Sequence, residues 1–180
     1  MITAMGIQKT HPLRPGFKQP GSAVLRIGVV PTHLGGSLFA NQHGLVSTCL
    51  PECDLELVGP MYAAILELIE QGHLLSCQSI FRSGLWGALL LLQIQGDMGF
   101  KSCPWPGNMM LNLLAEGPGF VVEVHADAKD MVIDHLKAKH IPSLVIGYTQ
   151  ASKHCDISDV RIDLPTLQQA HHSTFWEKSS

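Results

Sequence analysis

The spacing of the apolar residues changes several times along the chain, and each change predicts a new helix or strand. A run rich in Val, Ile and Leu at 23–30 predicts a buried strand that ends at Pro31. At 55–71 the apolar residues recur every three or four positions, which predicts an amphipathic helix that stops at Gly72. Residues 84–95 are apolar on nearly every side, so they predict a buried helix.

The same alternation continues to the end of the sequence. Asn108 has a side chain suited to capping the helix that follows it, and Pro165 is placed for the first turn of a closing helix. The remaining predicted elements are strands at 74–80, 120–124, 143–149 and 160–164, helices at 108–116 and 127–139, a loop or sheet edge at 101–107, and a loop around 154–155. Strands that alternate with helices in this way predict an α+β domain, a layered mixed β-sheet covered by helices.

The 180 residues are enough for one domain with an additional terminal segment. Pro12, Pro15 and Pro20 lie within the first twenty residues, with Gly16 between them, and each proline removes a backbone donor and fixes φ. We therefore predict an extended N-terminal arm at 1–20 and a folded domain at 21–180.

The amino-acid composition adds a prediction about the surface of the domain. Charged residues make up 15% of the chain and apolar residues 46%, whereas a typical domain has about 25% charged residues. A surface so poor in charge indicates that another domain or chain covers part of it. The alternative is a neutral, sparingly soluble monomer.

Charge and hydropathy also exclude several classes of function. The formal net charge is −3 and there is no basic run, so nucleic-acid binding through a charged patch has no support. Apolar runs such as 88–92 are far too short to cross a membrane, and the N-terminus does not resemble a signal peptide. Five cysteines without framework spacing are typical of reduced thiols in an intracellular protein.

Ten histidines and five cysteines raise the question of a metal site. His135 and His140 are five residues apart and do not share one helix face. Cys49 and Cys53 are four residues apart, but no second pair follows at zinc-ligand spacing. The sequence therefore predicts no metal site, and no nucleophile and base are singled out as catalytic residues.

The order of several motifs resembles a known family. The relevant stretches are 18–25 (Lys-Gln-Pro-Gly-Ser-Ala-Val-Leu), 34–37 (Leu-Gly-Gly-Ser), 113–124, which contains Ala-Glu before a strand, and the closing segment 175–180. Together they are similar to the AIR-synthase-related C-terminal domain of formylglycinamidine ribonucleotide (FGAM) synthase. The resemblance implies the fold of that domain, and a parent ligase that uses ATP, Mg²⁺ and glutamine in purine biosynthesis. It also implies two neighbours in a longer chain, an ATP-binding AIR-synthase N-terminal-like domain and a glutaminase.

One motif of this family is degenerate here. Where the family has His-Asp-x-Ser-Asp-Gly-Gly-Leu, this chain has Gln-Ser-Ile-Phe-Arg-Ser-Gly-Leu, starting at Gln78. The two aspartate positions are Ser79 and Arg82, the serine position is Phe81, and only the second glycine remains, as Gly84. Mg²⁺ is held by hard oxygen ligands, chiefly carboxylates, and a guanidinium would repel it. We therefore expect no nucleotide site and no cofactor in this domain.

Other residues near these motifs have two interpretations each. Arg82 could bind a phosphate or carboxylate directly, or be a solvated surface arginine. Glu116, retained from the family's Phe-Ala-Glu pattern, could contact substrate or a neighbouring domain, or cap local backbone. Gly35, Gly36 and Ser37 could hold an anion, or form a tight turn.

Trp105 lies between two prolines, so its ring is carried on a stiff, extended segment. Such a ring is suited to anchor a protein interface. The alternative is a ring folded onto the edge of the domain's own sheet.

The resemblance leaves two main hypotheses for function. The first is a degenerate FGAM-synthase-like domain, a pseudoenzyme module for structure or partner binding, as in the gammaherpesvirus tegument proteins that resemble the host enzyme. The second is a scaffold fragment of a working FGAM synthase. The first permits a location in the virion tegument or host nucleus, and the second places the protein in the cytoplasm. A free-standing enzyme of unrelated chemistry is the weakest alternative, since no residue set supports it.

Overall fold

Strands and helices alternate along the part of the chain that the structure, a computed structural model, describes: residues 12–47 and 49–176. The elements in order are β1 (Ala23–Ile27), α1 (Leu38–Gln42), α2 (Leu55–Glu70), β2 (Leu74–Ile80), α3 (Gly84–Gly96), β3 (Gly99–Ser102), α4 (Met109–Leu114), β4 (Gly119–Val124), α5 (Lys129–Ala138), β5 (Ser143–Gln150), β6 (His154–Ile157), β7 (Val160–Asp163) and α6 (Leu164–Trp176). The predicted α+β class is confirmed.

The strands form one mixed sheet in the order β2-β4-β1-β5-β3-β6-β7. Neighbouring strands are antiparallel except β3 and β6, which run parallel. The first strand in sequence, β1, therefore lies between β4 and β5, which come roughly a hundred residues later. Each strand contributes side chains to both faces of the sheet because successive side chains point to opposite sides.

Helices cover both faces of the sheet, which explains why all five residues of β1 are buried. On one face, Val24 packs with leucines of α3 and α6, including Leu89 and Leu164. On the other face, Leu25 packs with residues of α2 and α5, including Leu68. Full burial of one such side chain stabilises the fold by about 1.5–3 kcal/mol relative to exposure.

The helix ends follow local sequence signals. Asp54 caps α2 by accepting hydrogen bonds from the backbone N–H groups of Glu56 and Leu57. Asn108 caps α4 in the same way, as predicted. Gly72, with φ of 74°, follows α2 in the left-handed conformation that glycine adopts without strain.

One sequence prediction is wrong. Residues 154–155 were predicted to lie in a loop, but they form the start of β6. Cys155 is buried and pairs with Phe100 on one side and Ile162 on the other. Tertiary pairing with two neighbouring strands overrides the weak local signal of this four-residue strand.

The described part of the predicted N-terminal arm, residues 12–20, contains no helix or strand but contacts the sheet. Phe17 is 2% exposed and stacks on Phe100, with 6.5 Å between ring centroids. The backbone N–H groups of Lys18 and Gln19 donate to the carboxylate of Glu123. Residues 1–11 lie outside the described residues, and the domain boundary at residue 21 stays a prediction.

None of the helices within 12–47 and 49–176 combines the length and hydrophobicity needed to cross a bilayer.

Candidate functional site

The degenerate motif forms the connection between the end of β2 and the start of α3. Ser83, at the position of the family's first glycine, has φ of 71°, and Gly84 has φ of 61°. A Cβ atom on Gly84 would lie 2.6 Å from the backbone oxygen of Leu113. The backbone therefore requires glycine at 84, whereas Ser83 adopts a left-handed conformation that costs a non-glycine residue about 1–2 kcal/mol.

Glu116 forms hydrogen bonds with two segments that the sequence analysis identified separately, the one after the Gly-Gly-Ser turn and the degenerate motif. Its Oε1 accepts hydrogen bonds from the backbone N–H of Leu38, at 2.8 Å, and of Ser83, at 2.9 Å. Leu38 begins α1, directly after Ser37, and Ser83 precedes α3. Glu116 therefore contacts backbone, but in segments 78 and 33 residues away and not in the local backbone. Its contact with substrate or a neighbouring domain stays a prediction.

The Gly35-Gly36-Ser37 segment forms a tight turn that ends in the cap of α1. The Ser37 hydroxyl accepts a hydrogen bond from the Ala40 N–H at 3.1 Å, and Gly36 has φ of 73°. A Cβ atom on Gly35 would overlap the carbonyl oxygen of Cys49. The turn and this close approach account for both glycines. A shallow groove of about 290 Å³ lies between this turn and Glu116, and an anion contact there stays a prediction.

A second groove, of about 300 Å³, lies along the degenerate motif itself. Its lining includes Gln78, Ser79, Phe81, Arg82 and Ser83, together with Ala88, Leu91 and other residues of α3 and His171 of α6. The phenyl ring of Phe81 is 73% exposed, and Arg82 is exposed beside it. Among the described residues that line this groove there is no carboxylate. An amide, a hydroxyl, a phenyl ring and a guanidinium do not provide the ligand set that Mg²⁺ prefers.

Trp105 lies against the domain's own sheet. Its indole N–H donates a hydrogen bond to the Ile146 carbonyl at 2.6 Å, and the half-buried ring packs on the hydrophobic cluster around Phe100. This is the second of the two arrangements considered for Trp105. The role of Trp105 in an interface stays a prediction.

Two buried charges were not identified from the sequence. Arg26 is 3% exposed and donates to the carbonyls of Asn112 and Val29, and burial lowers the pKa of its guanidinium to about 10. Glu123 is fully buried and also accepts from the Ser76 hydroxyl. In the sequence, each of the two is recognisable only as a single charged residue inside an otherwise apolar strand.

The histidines and cysteines that were considered as metal ligands do not converge. His135 lies 3.2 Å from a carboxylate oxygen of Glu67, which also pairs with Lys139. Cys49 and Cys53 are both exposed and unpaired. Across residues 12–47 and 49–176 no three acidic, His or Cys side chains form a group that could hold a metal ion.

Comparisons with known proteins connect this fold to one family. The chain is 30% identical over 172 residues, 87% of its length, to the phosphoribosylformylglycinamidine synthase subunit PurL of Parasynechococcus marenigrum. It is 27% identical over 137 residues to the PurL subunit of Moorella thermoacetica. The chain is an AIR-synthase-like domain related to FGAM synthase. This FGAM-synthase-related domain spans 22% and 18% of the length of those two relatives.

Solved structures show the same fold for the FGAM-synthase-related domain. T. maritima PurL complexed with FGAR superposes with a TM-score of 0.71 at 14% identity, covering 86% of this chain and 29% of that one. Thiamine-monophosphate kinase from Stenotrophomonas maltophilia superposes with a TM-score of 0.57 at 14% identity, covering 81% and 52%. No protein-family model matches the chain.

Proposed function

We propose that this domain is a structural or partner-binding module of an FGAM-synthase-like protein and does not itself bind a magnesium–nucleotide complex. The observation that supports this proposal is the side-chain set at the end of β2. Ser79 and Arg82 occupy the two acidic positions of the family motif, and Phe81 occupies the hydroxyl position. Arg82 places a positive charge where a divalent cation would need negative ligands.

The carboxylate of Glu116 reaches this turn, where it is hydrogen-bonded to backbone N–H groups. Glu116 Oε1 accepts from Ser83 and Leu38, so it satisfies two N–H groups at the starts of α3 and α1. Such a carboxylate holds the turn in place. The strand, turn and helix of the family site are thus retained while the cation ligands are replaced, which favours a role in structure over a role in phosphate chemistry.

The partners proposed for this module are those that the family implies. They are an AIR-synthase N-terminal-like domain and a glutaminase in a longer chain, or a separate protein. The low proportion of charged residues supports a surface that is covered in the assembly.

Titration calorimetry of ATP into the 180-residue chain tests this proposal. We expect no heat of binding that depends on Mg²⁺. A rebuilt variant that carries Ser79→Asp, Phe81→Ser and Arg82→Asp serves as the matched control, because it restores both acidic positions and the hydroxyl. Binding of Mg²⁺-ATP to the unmodified chain would overturn the proposal, whatever the rebuilt variant does.

A second candidate is a scaffold domain within a working FGAM synthase, located in the cytoplasm. It is favoured by the 30% identity to a PurL subunit across most of this chain. In that case catalysis lies in other domains, and the loss of this motif leaves the enzyme active. A complementation experiment distinguishes the two candidate functions. An FGAM-synthase-deficient strain that expresses the longer protein carrying this domain is grown without purines. Growth favours the working enzyme, and failure by a protein that is expressed and folded favours the pseudoenzyme.

A further inference from the structure

The two edges of the sheet are protected to very different degrees. β7 is one edge, and its four residues include two charged ones, Arg161 and Asp163. Short length and charge are the usual means by which proteins prevent other strands from pairing with an edge. β2 is the other edge, and its seven residues, Leu-Leu-Ser-Cys-Gln-Ser-Ile, include no charged side chain.

The outer side of β2 is accessible. Within the described residues β2 pairs with β4 alone, so its other side presents a row of backbone N–H and C=O groups. Ser79 is exposed and Cys77 and Gln78 are half-buried. Phe81, directly beyond the strand, is 73% exposed. An uncharged edge strand followed by an exposed aromatic ring has the features that favour pairing with another strand.

We propose that this surface binds β2 of a second copy of the same chain, antiparallel, with the two-fold axis at Cys77. An antiparallel edge is self-complementary, because each copy offers to the other the N–H and C=O groups that it also requires. Cys77 is the midpoint of Leu74–Ile80, so this register is centred on the strand, and the regular part from Ser76 to Ile80 follows the irregularity that β2 shows against β4 between Leu74 and Ser76. Since β2 carries no charge, no like charges oppose each other across the axis.

The flanking residues provide charge complementarity in this register. A residue that lies n positions after Cys77 faces the residue n positions before it in the other copy. Phe81 therefore faces His73 of the second copy, and Arg82 faces Gly72, two residues from the exposed carboxylate of Glu70. Each Arg82 thus meets the acidic end of the other copy's α2, where the helix dipole also favours a cation.

Sedimentation velocity of the 180-residue chain over a concentration series tests the dimer. We expect a reversible dimer that Ser79→Lys weakens at least about tenfold, because the lysine is placed in a newly covered strand pair. Val160→Lys on the charged edge is the matched control, since Val160 is 58% exposed and outside the proposed contact. A chain that stays monomeric, or a dimer that withstands Ser79→Lys, would overturn the proposal.

Two further measurements locate the contact. Hydrogen exchange of peptides that cover 74–81 should slow as concentration rises, while exchange of 160–163 should not change; protection elsewhere without protection of β2 would refute the proposed surface.

Arg82→Glu should weaken the dimer about two- to fivefold, and adding Glu70→Arg should restore it. A loss that the charge swap does not reverse rules out the axis at Cys77. These results do not depend on whether the domain binds Mg²⁺-ATP, so the dimer and the proposed function can be refuted independently of each other.

Discussion

The carboxylate of Glu116 accepts a hydrogen bond from the backbone N–H of Ser83, with 2.9 Å between Oε1 and N, and the same oxygen accepts from Leu38. We expect Glu116→Ala to lower the free energy of unfolding by about 1–3 kcal/mol, because two backbone donors lose their acceptor. Urea denaturation measures the change. Glu116→Gln keeps an acceptor oxygen at this position and should recover most of the loss. Equal destabilisation by Gln and Ala would show that the negative charge, and not the acceptor, is what matters.

Ser83 is expected to be a site where glycine stabilises the fold. Its φ of 71° lies in the left-handed region, so Ser83→Gly should raise the free energy of unfolding by up to about 1 kcal/mol. Thermal and urea unfolding measure this change. Ser79→Gly is the matched control, since glycine inside a strand destabilises by about 0.5–1 kcal/mol. Destabilisation by both substitutions would contradict a strained turn.

Phe17 should behave as a core residue although it lies within the predicted arm. Its ring is 2% exposed, so Phe17→Ala should lower the free energy of unfolding by about 3–5 kcal/mol. Phe81→Ala is the control at the surface and should change stability by less than about 0.5 kcal/mol when both are measured on the monomer. Similar small effects of the two substitutions would support the boundary at residue 21.

The five cysteines should differ widely in reactivity. Burial raises the pKa of the Cys77 thiol to about 12 and that of Cys155 to about 11, so both stay protonated at neutral pH. Cys49 and Cys53 are exposed. Mass spectrometry after brief treatment with a thiol reagent should find modification at the two exposed residues first. Rapid modification of Cys77 in the folded chain would contradict the raised pKa of this half-buried thiol, and full reaction in urea is the control.

The thiols of Cys77 and Cys155 should make the free energy of unfolding depend on pH. In the unfolded chain their pKa lies near the ordinary value of 9.0, so above pH 9 the unfolded state loses protons that the folded state keeps. Their contribution is therefore fully present below pH 9 and is lost as pH rises towards 11 and 12. A variant with Cys77→Ala and Cys155→Ala should lose stability less steeply over this range. An unchanged slope would show that these thiols do not titrate on unfolding.

The sequence predicted the fold well where the local signals were strong. The helix α2 and the strand β2 lie where periodicity placed them, because an amphipathic stripe and a bounded apolar run depend on few distant contacts. The strand β6 was missed because its pairing with β3 and β7 is not visible in four residues.

The candidate site was predicted in its parts but not in its arrangement. The degenerate motif, the glycine pair and Glu116 were each identified from the sequence. That a single carboxylate oxygen joins them depends on the approach of segments 33 and 78 residues away, which no local pattern encodes. Arg26 and Glu123 were overlooked for a related reason, since each has partners in distant segments, the Asn112 carbonyl for Arg26 and the Lys18 N–H for Glu123.

The position of β1 has a consequence for biosynthesis. Its neighbours in the sheet, β4 and β5, are synthesised long after it, and the backbone N–H of Ser22, just before β1, donates to the hydroxyl of Thr149, 127 residues later. On the ribosome β1 therefore stays unpaired until β4 and β5 have emerged. Contacts so distant along the sequence slow folding, and until they form the unpaired strand is exposed to aggregation.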